Sequence, residues 1–189
     1  MLYDFCTALS AIIFKIFFGF RIKGREVFPK TGPFILASNH ASNLDPIAVS
    51  AACPRRVYFI AKEELFHNKI AAFFLFRLYA RPIKRGTADL GSIRLALQIL
   101  SHDPLLLFPQ GSRSSRFDSF KSGVGFLYKK TKVPVIAARV YGTADILPKG
   151  AKFPRRGKIS VIFDKVGELD PRDTREAITA KIIDKIQNL

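Results

Sequence analysis

A histidine and an aspartate five residues apart follow an apolar segment early in the chain. Residues 34–38 predict a short strand, and Asn39, His40 and Asp45 come after it. On a continuous helix, side chains five positions apart diverge by about 140°, so His40 and Asp45 can meet only across a turn. Pro46 disfavours helical geometry at Asp45 and suits a first helical turn, which predicts a helix starting after Asp45.

A carboxylate folded back onto an imidazole makes the imidazole a general base. The carboxylate accepts a hydrogen bond from one ring nitrogen, and the other nitrogen is left to take a proton from a hydroxyl group. In the alternative interpretation, Asp45 only caps the helix and His40 is an ordinary residue at the end of a strand. The spacing of the pair by itself does not decide between them, because it also occurs by chance.

A second candidate site follows another predicted strand, at residues 105–108. The next residues, 109–114, read Pro-Gln-Gly-Ser-Arg-Ser. Gly111 permits a close approach of the backbone, and Arg113 offers a planar fork of donors that fits a phosphate. Without further context, such a segment is also typical of a basic surface loop.

Apolar, β-prone runs alternate with longer segments of helical pattern along the chain. The predicted strands are residues 34–38, 57–61, 105–108, 135–141 and 159–163. Because the segments between them are long enough to hold helices, the pattern predicts a single α/β domain with a mixed β-sheet flanked by helices.

Two helices of the predicted domain are marked by apolar residues at helical spacing. Residues 87–100 are expected to pack one face on the sheet, and near the end of the chain either residues 170–171 or Asp173 with Glu176 is expected to start a helix. The two apolar stripes are Leu90, Ile93, Leu97 and Leu100, and Ile178, Ile182, Ile186 and Leu189.

The charge balance predicts anionic partners. Lys and Arg number 31 against 15 Asp and Glu, a formal net charge of +16, and residues 149–158 hold five of the cations and no acid. We expect no nucleic acid partner, because no zinc-finger, helix-turn-helix or RNP motif is visible.

Cys6 and Cys53 have neither paired spacing nor a neighbouring His cluster, so we expect no disulfide framework, no metal site and a reducing, cytoplasmic setting.

Residues 5–20 are apolar almost all round a helix, with Lys15 as the only charge. At about 1.5 Å per residue they reach about 24 Å, less than the ~30 Å of a bilayer's hydrocarbon core, which favours a helix lying in one leaflet. We expect residues 1–24 to be a membrane-associating segment and residues 25–189 to form the α/β domain. In the alternative, this helix is buried in the core.

A second apolar stretch, residues 65–80, either packs on the sheet or contacts membrane or acyl chains.

Four motifs in this order resemble the PlsC-like lysophosphatidic acid acyltransferase family. They read NHASNLD at 39–45, RPIKRG at 81–86, FPQGSRS at 108–114 and VPVIA at 133–137. The family usually has Glu where Gln110 stands, Thr where Ser112 stands and Pro where Ala137 stands. Ser112 keeps the hydroxyl group, whereas Gln110 keeps a carbonyl oxygen but loses the charge.

The resemblance implies direct transfer of a fatty acyl group from a thioester of acyl carrier protein or coenzyme A, without a cofactor. The acceptor would be the 2-hydroxyl of 1-acyl-glycerol-3-phosphate (lysophosphatidic acid), and the product phosphatidic acid. His40 would be the general base and Asp45 its orienting partner. The residues implied in substrate binding are Arg85, Gln110, Gly111, Ser112, Arg113 and Lys121.

Within that set, the resemblance implies that the Gly111 region lies near the developing oxyanion and that Arg85 and Arg113 hold the acceptor phosphate, with Lys121 as a further contact. The enzyme would work on an anionic membrane surface, at the cytoplasmic face of a bacterial inner membrane. Two alternatives stay open: an acyltransferase of the same fold with a different lysolipid acceptor, and a basic peripheral membrane protein without enzymatic activity.

Overall fold

The computed structural model describes residues 1–83, 90–111, 120 and 122–189. The strands are β1 (Arg21–Lys23), β2 (Ile35–Ser38), β3 (Tyr58–Lys62), β4 (Ala80–Ile83), β5 (Leu105–Leu107), β6 (Val135–Tyr141) and β7 (Ser160–Lys165). The α-helices are α1 (Leu2–Phe18), α2 (Asp45–Ala52), α3 (Lys69–Arg77), α4 (Leu90–Leu100), α5 (Gly123–Thr131), α6 (Thr143–Ile146) and α7 (Arg175–Gln187). Short 3₁₀ helices occupy Arg25–Val27 and Glu63–Phe66.

The described strands form one seven-stranded sheet in the order β1-β7-β6-β2-β5-β3-β4. β6 and β7 are antiparallel, and the other neighbouring strands are parallel. β2 lies in the middle, where Leu36 is aligned with Leu106 of β5 and Ile136 of β6. The prediction of a mixed sheet is confirmed.

Helices cover both faces of the sheet because side chains alternate along its central strands. Phe34 and Leu36 point into one apolar layer, which includes residues of α1 and α2. Ile35 and Ala37 point into the other, which includes residues of α4, α5 and α7. All four side chains are completely buried, which explains the uninterrupted apolar sequence of this strand. The result is the predicted α/β domain with helices on both sides.

The five predicted strands are confirmed with small shifts at their ends, whereas β1 and β4 were not predicted. β1 has three residues, two of them charged, and so carries no apolar signal. β4 contains Pro82, which is tolerated because the strand lies at the edge of the sheet. Helices α5 and α6 were likewise not predicted.

The predicted start of the last helix is wrong. Thr174 caps α7, since its Oγ1 accepts a hydrogen bond from the backbone N–H of Ala177 at 3.1 Å. Asp170 instead accepts hydrogen bonds from Arg172, and Asp173 forms an ion pair with Lys181. The predicted stripe is confirmed: Ile178, Ile182 and Ile186 are buried, and Leu189, two residues beyond the end of α7, is partly buried against the same core.

Helix α4 packs on the sheet as predicted, with part of the predicted stripe. Leu100 is buried and Leu97 is partly buried against the same core, together with the buried Ala96 and Ile99, whereas Leu90 is 77% exposed at the first turn. The apolar stripe therefore meets the sheet only along the second half of the helix. Residues 87–89, which were expected to begin this helix, lie outside the described residues.

Helix α1 packs on the domain along one side only, so it is not a buried core helix. Tyr3 and Phe14 are buried, and the Tyr3 hydroxyl accepts a hydrogen bond from the backbone N–H of Val57 at 3.3 Å. Burial raises the pKa of Tyr3 to about 12. The other side exposes a continuous apolar stripe, which consists of Phe5, Leu9, Ile12, Ile13, Ile16 and Phe17.

Helix α3 also presents apolar residues to solvent. Every one of its residues is at least partly exposed, so packing on the sheet does not explain its composition. Its exposed apolar side chains are Ile70, Phe73, Phe74 and Phe76. Within the described residues, no helix combines the length and the apolar character needed to cross a bilayer.

Candidate active site

The candidate site lies where β2, β5 and β6 end, at the carboxyl edge of the sheet. β2 leads into the turn at residues 39–45, β5 into residues 108–111, and β6 into Gly142 and Thr143. In open α/β sheets the carboxyl ends of parallel strands are the usual place for ligand sites, because the connecting loops gather there.

Asn39 fixes the beginning of the turn. Its side chain donates a hydrogen bond from Nδ2 to the carbonyl oxygen of Val140 at 2.9 Å, and its Oδ1 accepts one from the N–H of Val140 at 2.7 Å. The amide group thereby extends the pairing between β2 and β6 after β2 itself has ended. The chain leaves the sheet at a defined position, directly before His40.

The turn brings His40 and Asp45 together. Nδ1 of His40 lies 3.1 Å from Oδ2 of Asp45, which also accepts hydrogen bonds from the backbone N–H groups of Ala41 at 2.6 Å and Ser42 at 2.7 Å. Asp45 is completely buried at the first residue of α2, where the helix dipole favours a negative charge. The carboxylate both organises the turn and holds the imidazole.

The second oxygen of the buried carboxylate is bonded from a distant part of the chain. The hydroxyl of Thr143 donates a hydrogen bond to Oδ1 of Asp45, so four donors in total surround the two oxygens. Buried charges need such partners to offset the loss of hydration. Gly142 places Thr143 there with a φ of 81°, and a Cβ at this glycine would lie 1.9 Å from the carbonyl oxygen of Lys158.

The segment after β5 holds the imidazole from the other side. The ring of Phe108 stacks on that of His40 with centroids 4.3 Å apart and an angle of 29° between the planes. Oε1 of Gln110 accepts a hydrogen bond from the backbone N–H of His40 at 2.6 Å. The His40 side chain is 13% exposed, and within the described part of the chain no group hydrogen-bonds to its Nε2. Its orientation is therefore fixed while one nitrogen stays available.

Two of the residues predicted to bind substrate are described, and they have different environments. Gln110 is buried, with its side-chain oxygen on the backbone of His40. Gly111 adopts a φ of 66°, and its N–H closes a turn onto the carbonyl oxygen of Phe108 at 2.9 Å. The others, Arg85, Ser112, Arg113 and Lys121, lie outside the residues that the structure describes.

Thr143 was not among the residues predicted from the sequence. It lies 98 residues from Asp45 in the chain and belongs to none of the four motifs. The only local signal is the Gly-Thr pair directly after a predicted strand, which is common in turns. Asn39 was part of a motif, but its role in pairing with Val140 became visible only in the structure.

The structure thus combines a mixed α/β sheet with a histidine that a buried carboxylate holds at the carboxyl ends of the central strands. A sequence model of the Acyltransferase family matches residues 19–141, which is more than half of the chain. The chain belongs to the acyltransferase family. The resemblance to its PlsC-like members is confirmed.

The chain is similar to named relatives over different shares of their lengths. It is 24% identical over 196 residues to the 1-acyl-sn-glycerol-3-phosphate acyltransferase of Bacillus subtilis, covering 100% of this chain and 96% of the relative. It is 31% identical over 112 residues to the enzyme of that name from Streptococcus pneumoniae, covering 58% of this chain and 42% of the relative.

A solved structure shares the fold. The crystal structure of the 1-acyl-sn-glycerophosphate (LPA) acyltransferase PlsC from Thermotoga maritima aligns with a TM-score of 0.81 at 23% identity. The alignment covers 98% of this chain and 78% of that protein.

Proposed function

We propose that this acyltransferase moves a fatty acyl group from a thioester of acyl carrier protein or coenzyme A to the 2-hydroxyl of 1-acyl-glycerol-3-phosphate. The products are phosphatidic acid and the free thiol. The observation that carries the proposal is the contact between Nδ1 of His40 and the buried Oδ2 of Asp45. The names of the relatives support the choice of acceptor.

The contact with Asp45 decides which nitrogen of His40 reacts. Oδ2 can only accept, so Nδ1 carries the hydrogen and Nε2 presents its lone pair. As the acceptor oxygen attacks the thioester carbonyl carbon, Nε2 takes the hydroxyl proton, and the carboxylate stabilises the imidazolium that forms. The tetrahedral intermediate then collapses, the carbon–sulfur bond breaks, and the leaving thiolate takes the proton from Nε2.

The environment of Cys53 supports this direct attack over a cysteine-linked acyl-enzyme. The thiol is buried at the far end of α2 from Asp45, and burial raises its pKa to about 12. A thiol with that pKa is almost wholly protonated at neutral pH and is a poor nucleophile. The acceptor hydroxyl, activated by His40, is then the attacking group.

The roles of the remaining residues follow the family motifs. We assign the Gly111 region to the developing oxyanion and Ser112 to substrate binding. Arg85 and Arg113, whose planar guanidinium groups suit bidentate contacts, are assigned to the phosphate of the acceptor, with Lys121 as a further contact. For Gln110 we propose a positioning role, because its side-chain oxygen is already bonded to the backbone of His40.

We further propose that residues 1–24 place the α/β domain, residues 25–189, on the cytoplasmic surface of an anionic membrane. The outer side of α1 supports this, because Ile16 and Phe17 are each 70% exposed. An apolar helix face of this kind is suited to the boundary between headgroups and acyl chains. The acceptor and the product, both lipids, can then enter and leave through the bilayer surface.

An assay with matched substrates tests the proposed reaction. Detergent-purified protein is supplied with acyl carrier protein and coenzyme A thioesters of one chain length, each against 1-acyl-glycerol-3-phosphate, 1-acyl-glycerophosphocholine and 1-acyl-glycerol. We expect phosphatidic acid to form and the two acceptors without a terminal phosphate to react at least tenfold more slowly. Equal rates with all acceptors, or no acyl transfer to any of them, would contradict the proposal.

Replacing Thr143 by valine is expected to lower kcat about tenfold, because the buried carboxylate of Asp45 loses one donor worth about 1.5 kcal/mol or more. The KM for the acceptor should change little, since Thr143 acts through Asp45. The conservative Thr143→Ser variant keeps the hydroxyl and should restore kcat. If the serine variant is as slow as the valine variant while both melt at the wild-type temperature, Thr143 does not position the carboxylate through its hydroxyl.

A further inference from the structure

The connection between α6 and β7 is an exposed, strongly basic segment. We refer to residues 149–158 as the basic loop. Its five cations are all exposed, and within the described part of the chain none of them forms an ion pair with a carboxylate. They are Lys149, Lys152, Arg155, Arg156 and Lys158.

An aromatic side chain projects from the middle of these cations. Phe153 is 80% exposed, the highest exposure among the large apolar residues of the described part of the chain apart from Met1. Exposing a phenylalanine to water is unfavourable and is relieved when the ring enters an apolar phase. An aromatic residue surrounded by Lys and Arg is the composition that segments at an anionic membrane surface share.

The basic loop is fixed at its end to the membrane-associating helix. The N–H of Ile159 donates a hydrogen bond to the carbonyl oxygen of Phe18 at 2.9 Å, and the N–H of Arg21 donates one to Ile159 at 3.0 Å. The carboxyl end of α1, with the exposed Ile16 and Phe17, therefore adjoins the last residues of the loop.

The start of the basic loop is fixed to the turn that carries the catalytic pair. The hydroxyl of Ser42 donates a hydrogen bond to the carbonyl oxygen of Leu147 at 2.8 Å, and the N–H of Arg155 donates one to Ile146 at 2.8 Å. The loop thus connects the carboxyl end of α1 with the edge of the sheet where His40 lies.

We propose that the basic loop is a second membrane-docking element, which binds the anionic headgroups of phospholipids and inserts Phe153 between them. The proposal rests on the proposed function, since it places the same enzyme on its lipid substrate. One apolar element commonly needs a polybasic segment beside it for stable attachment to a membrane. With both elements seated, the turn that holds His40 lies at the level of the headgroups, where the acceptor phosphate and its 2-hydroxyl are found.

A membrane is favoured over an acidic carrier protein as the partner. The positive charge alone would suit either partner. Phe153 and the exposed apolar residues of α1, whose carboxyl end adjoins the loop, add apolar surface to both elements. Headgroup contacts and acyl-chain contacts are thereby available on one surface.

Vesicle co-sedimentation without substrates tests this proposal. The loop variant Lys152→Gln/Arg155→Gln/Arg156→Gln is compared with a control that loses the same charge, Lys130→Gln/Lys132→Gln/Lys165→Gln. The control residues are exposed and lie toward the opposite end of β6, where Lys165 is aligned with Ile136. The vesicles are phosphatidylcholine alone and phosphatidylcholine mixed with phosphatidylglycerol.

We expect the loop variant to lose at least tenfold in affinity for the anionic vesicles, because each Lys or Arg near such a surface contributes about fivefold. The control variant should lose affinity for the anionic vesicles by less than half as much, measured as the logarithm of the affinity. Neither variant should differ from the wild type in its affinity for vesicles of phosphatidylcholine alone. Phe153→Ser is expected to weaken binding several-fold to both kinds of vesicle. All variants should turn over detergent-solubilised substrates at the wild-type rate.

Two results would overturn the proposal. One is wild-type binding of the loop variant to anionic vesicles. The other is equal losses in the loop and control variants, which would show only a response to net charge. Normal vesicle binding with a raised KM for acyl carrier protein in detergent would assign the loop to the donor instead. Because binding is measured without acyl transfer, a failure of the proposed reaction leaves this test intact.

Discussion

The His40→Ala variant is expected to lose acyl transfer to lysophosphatidic acid, by a factor of at least about 10²–10⁴, because a positioned general base contributes that much. The variant keeps the buried carboxylate with its three remaining donors, Ala41, Ser42 and Thr143. The turn should therefore stay folded. Steady-state kinetics in detergent, with thermal unfolding of the same samples, measures both effects.

The chain offers matched controls for that experiment. It has three histidines, and both of the others, His67 and His102, are exposed and lie outside the site. His67→Ala and His102→Ala should retain wild-type turnover, and all three variants should bind vesicles equally. Wild-type turnover by His40→Ala would remove the proposed mechanism.

The Asp45→Asn variant is expected to lower kcat by about 10²–10³ with little change in the KM for the acceptor. An asparagine fits the site, since its Oδ1 can accept the donors now at Oδ2 and its Nδ2 can donate to the hydroxyl of Thr143. What is lost is the negative charge that stabilises the imidazolium of His40 during attack. Measured kcat and KM values distinguish this orienting role from substrate binding.

The control for this variant is Asp145→Asn, because Asp145 lies on α6 near the site but is exposed. It should leave both kinetic constants unchanged. If Asp45→Asn instead raises the KM for the acceptor and spares kcat, Asp45 is a substrate-binding residue.

The contact between His40 and Asp45 could be predicted because its geometry is local. His40 and Asp45 are five residues apart, and Pro46 indicates a helix start close by. The helix was predicted to start after Asp45, whereas α2 begins one residue earlier, at Asp45, with the proline in its first turn. The central strands could be predicted for a similar reason, since a strand buried on both faces is apolar throughout, as residues 34–37 are. In each case the signal lies within a few neighbouring residues.

The contacts that complete the site could not be predicted, because they join distant segments. Thr143 reaches Asp45 only once β6 is paired with β2. The side-chain oxygen of Gln110 accepts a hydrogen bond from the backbone of His40, a contact that the motif alone does not fix. Tertiary packing decides both. The predicted contact of Gln110 with substrate stays a prediction.

The start of α7 could not be predicted from capping preferences alone, because several residues there can cap a helix and some of them bind other side chains instead. Asp170, Asp173 and Thr174 can all cap a helix, and the sequence favoured either aspartate. In the structure Arg172 and Lys181 bind the two aspartates, which leaves Thr174 to cap α7. The exposed side of α1 was similarly undetermined, because its composition is apolar all round and only packing shows which residues are covered.

The most direct test of the mechanism is a crystal structure of the enzyme with lysophosphatidic acid and without an acyl donor. The 2-hydroxyl oxygen is predicted to lie about 2.6–3.2 Å from Nε2 of His40, or to reach it through one water molecule. The contact between Nδ1 and Asp45 should persist in the complex. A bound acceptor whose hydroxyl is directed away from Nε2, or an imidazole that has left Asp45, would contradict the mechanism.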